Sequence, residues 1–285
     1  MVKLTLQKNL LGFEIHQDDR PLTLYRATEE LPRTDSPKPC FAPIYTPSGT
    51  LVTEYRPSDH TWHTGLYFGW VRANETNLWG GPWYLPETKK YEQVEHSHGV
   101  QRHDEFSRLE QKDAIDVEEK LTWLDADDRE MARETRSYRL VAIDGGTSWQ
   151  IDTTITPTID QLVLGASRMS HYSGFELRMG PPFADASHYD SEGRETHEDI
   201  MGHRARWVAA RGATGGCVAM MDHPDNPRHP VTWFARKNLL GAGLLMEDDL
   251  SLSQGEDLSL RYAFFVLDSD PGSERWEELY REFTT

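Results

Sequence analysis

Asp144-Gly145-Gly146-Thr147-Ser148-Trp149-Gln150-Ile151-Asp152-Thr153-Thr154-Ile155 reads as a tight turn that launches a strand. Asp-Gly-Gly supplies the turn, because glycine enters left-handed backbone conformations without steric cost. Beyond it Trp149, Ile151, Thr153 and Ile155 recur with a period of two, which gives an extended chain one apolar face and one polar face. The same pattern runs outward in both directions. Upstream, Leu4 and Leu6, Phe13 and Ile15, and Leu22 and Leu24 mark short strands. Residues 41–45, the turn Pro47-Ser48-Gly49 and residues 51–55 read as a hairpin. Leu66, Phe68 and Trp70 share one face of a strand whose other face carries Tyr67, Gly69 and Val71. Between residues 92 and 139 the chain is polar, with apolar side chains at alternate positions such as Ile115, Val117, Leu121 and Trp123. Downstream, residues 206–208, 216–221 and 258–267 continue the alternation, the last with Leu258, Leu260, Tyr262, Phe264 and Val266 on one side.

Only the tail departs from this period. Pro271-Gly272 precede Ser273, a plausible N-cap, and Trp276, Leu279, Tyr280 and Phe283 form a helical stripe, so residues 273–283 are predicted to be helical. Residues 180–202, with Pro181-Pro182 and many charges, read as a long loop. No internal repeat and no low-complexity linker divides the chain. The pattern predicts an all-β fold, a large antiparallel β-sandwich in two layers with a short C-terminal helix, spanning residues 1–285 as a single domain.

Composition narrows the function. The formal net charge of -17 repels phosphate backbones and anionic lipid, so neither nucleic acid nor a membrane is an expected partner. No apolar run approaches the ~20 residues that span a bilayer, and the N-terminus lacks the apolar core of a signal peptide. A cytoplasmic location is therefore the expectation. Cys40 and Cys217 form neither a disulfide framework nor a zinc cage and are expected to be small buried apolar residues. No dinucleotide, P-loop or nucleophile-elbow motif is present. Nine Trp in an 11% aromatic chain suit both a β core and surfaces on which sugars stack.

Four polar clusters carry the candidate chemistry. In Asp59-His60-Thr61-Trp62-His63-Thr64-Gly65, two His three residues apart can converge where the backbone turns, and Asp59 can orient an imidazole. In His96-Ser97-His98 a strand would place both rings on one face. The run from Arg168 through His171 to Arg178 would direct Glu176 and Arg178 to one side as a general base and an anion or carbonyl clamp. Asp222-His223-Pro224-Asp225-Asn226 is followed by Pro227, Pro230 and Trp233; the prolines would hold Asp222, His223 and Asn226 in place.

Three segments together have a familiar pattern: Pro43-Ile44-Tyr45-Thr46-Pro47-Ser48-Gly49; Asp59-His60-x-x-His63-x-Gly65-Leu66-x-Phe68-Gly69-Trp70; and Asp222-His223-Pro224-x-Asn226-x-x-x-Pro230-x-x-Trp233. They resemble a bacterial family of unknown function once labelled as the PmoA subunit of methane oxygenase. The resemblance runs from about Pro39 to Leu267. It implies family membership and not methane oxidation, which in that enzyme requires spanning helices. More distantly the chain is similar to galactose-mutarotase-like β-supersandwich proteins, and this implies a sandwich that presents His and acidic residues to a sugar in an open cleft.

The expected function is that of an enzyme acting on a sugar or oxidised keto-sugar by hydrolysis, lyase or epimerase chemistry. His60, His63 and His98 would transfer protons near neutral pH, with Glu176 as base. Arg168 and Arg178 would stabilise an enolate or carboxylate, and Trp62, Trp79 and Trp233 would stack on the ring. Asp59, His171, Asp222, His223 and Asn226 complete the expected substrate-binding set. A variant of this reading places a divalent metal on His60 and His63 with His98 or His223 as third ligand. The alternative is a non-catalytic carbohydrate-binding or scaffolding module carried by Trp.

Overall fold

A computed structural model describes residues 3–165 and 173–285. In it the opening hairpin pairs Glu130–Ile143 with Gly146–Pro157 in unbroken register from Ile143↔Gly146 to Ala132↔Pro157, leaving Asp144-Gly145 as the turn. Gly145 sits at φ 70°, where a side chain would be strained. Trp149, Ile151 and Ile155 are fully buried, and the alternating Gln150, Asp152 and Thr154 are partly open. The predicted period is the observed one.

Repeated along the chain, this alternation builds two large antiparallel sheets. The eight-stranded sheet runs in the order Ser187–Asp190, Trp207–Arg211, Cys217–Asp222, Leu258–Leu267, Gly146–Pro157, Glu130–Ile143, Ile115–Leu124, Val100–Gln111. The eleven-stranded sheet runs Leu4–Lys8, Gly12–Gln17, Arg20–Arg26, Cys40–Ile44, Leu66–Ala73, Ser173–Arg178, Leu239–Gly243, Trp233–Arg236, with Thr76–Leu78, Gln161–Gly165 and Leu250–Ser253 branching from it. Their facing sides share one apolar core that includes Phe41, Phe68 and Trp70 from one sheet and Trp149, Tyr262 and Phe264 from the other. The fold is all-β with a short C-terminal helix.

Both outer faces are also partly covered. Ser273–Phe283 lays Trp276, Leu279 and Tyr280 on Trp207, Met221 and Phe265 of the eight-stranded sheet. Trp276 Nε1 donates to Tyr189 Oη at 2.7 Å, which satisfies the indole in its buried position. The helix begins at Ser273 without a side-chain cap; Gly272 is the N-cap, with φ 83°. On the eleven-stranded sheet, Cys40, Tyr67, Val71 and Trp79 form a second outer cluster, with Tyr55 and Trp62 packed against it. Strand Leu66–Ala73 is therefore buried on both sides, although its pattern distinguishes two faces.

Two local expectations change. Residues 180–202 are not one irregular loop: Ser187–Asp190 pairs with Trp207–Arg211, and Thr196 caps a helical turn at His197–Ile200. Backbone pairing at the sheet edge orders a stretch whose side-chain pattern is polar. His96-Ser97-His98 is not a strand, since His96 sits in a turn at φ 52° and the strand starts at Val100.

Inside the core lies a charged network that the apolar pattern conceals. Arg136 and Glu134 are both unexposed and 2.6 Å apart. Glu134 also accepts from Trp123 Nε1 at 2.8 Å and Thr153 Oγ1 at 2.6 Å, and Arg136 donates to Gln101 Oε1 at 3.1 Å. Tyr138 and Tyr25 continue the chain to Glu119 and His103. Each charge has partners, as buried charges require. Both cysteines are free and buried, and burial pushes the Cys40 thiol up to about 12. Among the described residues no helix is long and apolar enough to cross a membrane.

Candidate functional site

The site lies at the outer face of the eleven-stranded sheet, where residues 55–65 double back before strand Leu66–Ala73. Gly65, at φ 86°, makes that entry possible: a Cβ there would meet the Phe41 carbonyl oxygen at 2.4 Å. Two successive turns, closed by His60 N to Pro57 O and His63 N to His60 O, bring the two imidazoles together. Their rings stack at 5.0 Å between centroids, with an interplanar angle of 22°. Trp62 lies 5.0 Å from His60 and 5.8 Å from His63. Buried Asp35 pins the loop by accepting from Thr61 Oγ1 at 2.8 Å and from Arg56 Nη2 at 2.5 Å.

The two histidines differ in environment. The His60 side chain is 44% exposed, and Asp59 Oδ2 lies 2.9 Å from its Nδ1, an ion-pair approach whose angle falls outside hydrogen-bond geometry. That proximity lowers the Asp59 carboxyl below its ordinary range. His63 is buried, and desolvation, reinforced by the neighbouring Arg178, His60 and Lys38, pushes it down to about 2. It is a neutral ring at any physiological pH.

Lys38 joins this group from beneath. Its buried ammonium donates to the carbonyl of Trp79 at 2.7 Å, Ser36 at 3.2 Å and Trp62 at 3.4 Å, and lies 4.9 Å from the centre of the Tyr67 ring. Burial lowers it to about 8. One ammonium thus ties together the two segments that carry Trp62 and Trp79.

Glu176 shares the outward side of the sheet, paired with Tyr67 on one neighbouring strand and Gly241 on the other. Its carboxyl occupies the space a Cβ at Gly241 would fill, 2.3 Å from Oε2. Glu176 is unexposed; Oε1 accepts from Ser173 N at 3.2 Å, and Oε2 has no hydrogen-bond partner among the described residues. Desolvation raises it well above the ordinary carboxyl range, which disfavours the ionised form that the general base expected from sequence would need. Arg178 is held by Glu54, Nε to Oε2 at 3.1 Å, and so enters the site as an ion-paired neighbour rather than a free clamp.

The structure thus brings together Asp59, His60, Trp62, His63, Trp79 and Arg178, with Glu176 on the same sheet face. Trp79 is buried and forms a wall, 5.9 Å from His63 and 5.4 Å from Tyr67. The other expected residues lie elsewhere. His98 directs Nε2 at the Gly81 carbonyl at 2.7 Å, which makes that nitrogen the donor; Gly81 in turn packs against Trp62. His98 therefore positions the loop instead of facing a ligand. Trp233 is fully buried in the shared core, with Nε1 donating to Ala205 O at 2.7 Å, and offers no stacking surface. Asp222 is a turn anchor on the eight-stranded sheet, accepting from Asn226 Nδ2 at 2.7 Å and from Val231 N at 2.8 Å. Asn226 closes the same turn onto Arg261, and His223 packs against Phe283. Arg168 and His171 lie outside the described residues. The third metal ligand sought from His98 or His223 is not supplied: both are engaged as above, and no three His, Cys, Asp or Glu among the described residues gather to hold an ion.

Asp35, Lys38 and Arg56 were not singled out from sequence. The available signal was Asp35-Ser36-Pro37-Lys38-Pro39, a lysine stiffened by a proline on each side, in a chain where Lys is otherwise a surface residue.

The model of a family of unknown function, DUF6807, matches residues 12–281, and the chain belongs to that family. A comparison with curated protein sequences finds no match. Among solved structures the chain is similar to a heparan sulfate lyase HepC mutant from Pedobacter heparinus, with 6% identity and a TM-score of 0.41 over 95% of this chain and 36% of that one. It is similar to the Slr1438 protein from Synechocystis sp. PCC 6803, with 11% identity and a TM-score of 0.43 over 88% and 97%. A polysaccharide lyase matches with 11% identity and a TM-score of 0.37 over 99% and 34%. The chain thus spans about a third of the length of either lyase.

Proposed function

We propose that this member of a family of unknown function is an enzyme that acts on a sugar or keto-sugar by proton transfer, at the outer face of the eleven-stranded sheet. One observation carries the reading: a half-exposed His60 stacked on a neutral, buried His63, flanked by the Asp59 carboxylate and the Trp62 ring. An imidazole open to solvent is the side chain most often used as acid and base. Asp59 Oδ2, 2.9 Å from His60 Nδ1, sets a carboxylate beside the ring that would take the substrate's proton. His63, kept uncharged by burial, packs against His60 without competing for that proton. Trp62 offers an indole on which the C–H face of a sugar stacks.

Proton transfer at a carbon, as in epimerase or lyase chemistry, fits better than hydrolysis. Glycoside hydrolysis ordinarily employs two carboxyl groups that flank the scissile bond. Here Asp59 is exposed and Glu176 is sealed in the sheet surface. The likeness to galactose-mutarotase-like sandwiches inferred from sequence belongs to this proposal. The binding-module alternative needs an aromatic platform, and one of its two expected rings, Trp233, is buried.

The test follows aldoses and keto-sugars by NMR in D2O, where deuterium wash-in reports proton abstraction directly. His60→Ala is expected to lose about 10²–10⁴-fold in rate on any substrate the native chain turns over. Unchanged rates in His60→Ala and in His60→Ala/His63→Gln, on every such substrate, would reject the proposal. Saturable binding with no turnover would favour the module.

A further inference from the structure

A hollow of about 910 Å³ opens on the same outer face. It is of the size of small-molecule clefts, roughly 300–1,000 Å³. Val71 links it to the proposed site, since Val71 packs in one apolar cluster with Tyr67 and Trp79, against which Trp62 rests. Half-buried Trp83 and Tyr84, on the short strand Trp83–Leu85, form an aromatic side of it. Trp83 Nε1 donates to Ser97 Oγ at 2.9 Å, which fixes the indole plane beside the segment that carries His98. Met246 also lines it, and its thioether occupies the space a Cβ at Gly243 would fill.

The charge of the lining is one-sided. Glu75, Glu87, Glu247, Asp248 and Asp249 line the hollow, and Arg72 is the cation among them. Arg72 is paired with Asp249 at 3.0 Å, and Glu247 is paired with Arg204 at 2.6 Å. Glu75, Glu87 and Asp248 make no ion pair among the described residues and are exposed. Aromatic rings beside unpaired carboxylates receive the C–H faces and hydroxyl or ammonium donors of a saccharide, and they repel a carboxylate or sulfate.

We propose that this hollow is the subsite for the remainder of a sugar chain whose reacting unit lies at His60, and that the chain is uncharged or amino-bearing rather than uronate- or sulfate-bearing. The proposal rests on the functional reading above and narrows its substrate class. The test is calorimetric titration of the full chain with three tetrasaccharides: a glucosamine oligomer, a neutral glucose oligomer and a galacturonate oligomer. The glucosamine or glucose oligomer should bind at least tenfold tighter than the galacturonate oligomer. Trp83→Ala should weaken that binding at least tenfold, and Glu75→Gln/Glu87→Gln/Asp248→Asn should shrink the preference over galacturonate at least threefold. Galacturonate binding as tightly as the others, indifference to Trp83→Ala, or no binding of any oligomer would overturn the subsite. Binding that obeys these rules without turnover would overturn only the catalytic reading.

Discussion

The sandwich has two outer faces, built alike and finished differently. On the eight-stranded sheet, Trp207, Met221 and Phe265 present apolar side chains, and the C-terminal helix covers them with Trp276, Leu279 and Tyr280. On the eleven-stranded sheet no helix among the described residues does this. Its cover is made of loops that carry His60, Trp62 and His63, tied down by Lys38 and Asp35, over a buried Glu176. The difference teaches where stability and chemistry divide. The sealed face contributes area removed from water. The open face keeps polar groups in strained electrostatic positions, which is where function concentrates.

Four substitutions would break or sharpen this contrast. Trp276→Ala should cost the most, about 3–5 kcal/mol by chemical denaturation, because it opens a cavity under the helix, while saccharide binding per folded molecule stays unchanged. Loss of binding in that variant, at conditions where it is folded, would blur the division.

His63 should dominate the acid response of the open face. The unfolded ring takes up a proton near 6.5, and the folded one only near 2. The unfolded state therefore binds more protons between those values, and stability falls as pH drops below 6.5, by about 1.4 kcal/mol per pH unit. His63→Phe should flatten that slope relative to the native chain in denaturation curves taken from pH 7 to 4.5. Parallel slopes would mean that the ring is not desolvated.

Glu176 should act in the opposite sense. Its raised value means that the folded state holds a proton the unfolded state releases above about 4.5, so stability is lost as pH rises. Glu176→Gln keeps the shape without the charge, and at pH 8 should stabilise the chain by about 1 kcal/mol. A destabilised Glu176→Gln would indicate an ionised, partnered carboxylate. The smallest stability effect belongs to His60→Ala, within about 0.5 kcal/mol in the same denaturation assay, since the ring is half exposed.

The period-two rule was enough to read the strands from Leu66, Trp149 and Leu258, and the three-four spacing of Trp276, Leu279 and Tyr280 marked the helix. Burial on both sides of Leu66–Ala73 was not legible, because what covers Tyr67 and Val71 comes from distant loops. Glu134 and Arg136 occupy inward positions of an alternating strand, and their burial was not legible because it depends on the ion pair that each makes with the other. At the site, the Asp59 to Gly65 motif was legible because histidines cluster where loops turn. The clusters around His98 and Asp222 looked equivalent to it. Only the fold shows that one is committed to the Gly81 carbonyl and the other to a turn on the far sheet. Lys38 was not legible because a lone lysine signals nothing in a sequence, and its four backbone carbonyl partners come together only in the fold.

The most direct test of the two-face account is a ¹H–¹⁵N spectrum of the tryptophan indoles during titration with the glucosamine tetrasaccharide. The account predicts that Trp62 and Trp83 move with saturation while Trp207 and Trp276 stay fixed. Movement of Trp207 and Trp276 with Trp62 and Trp83 unchanged would place the ligand on the helix-covered face and contradict it.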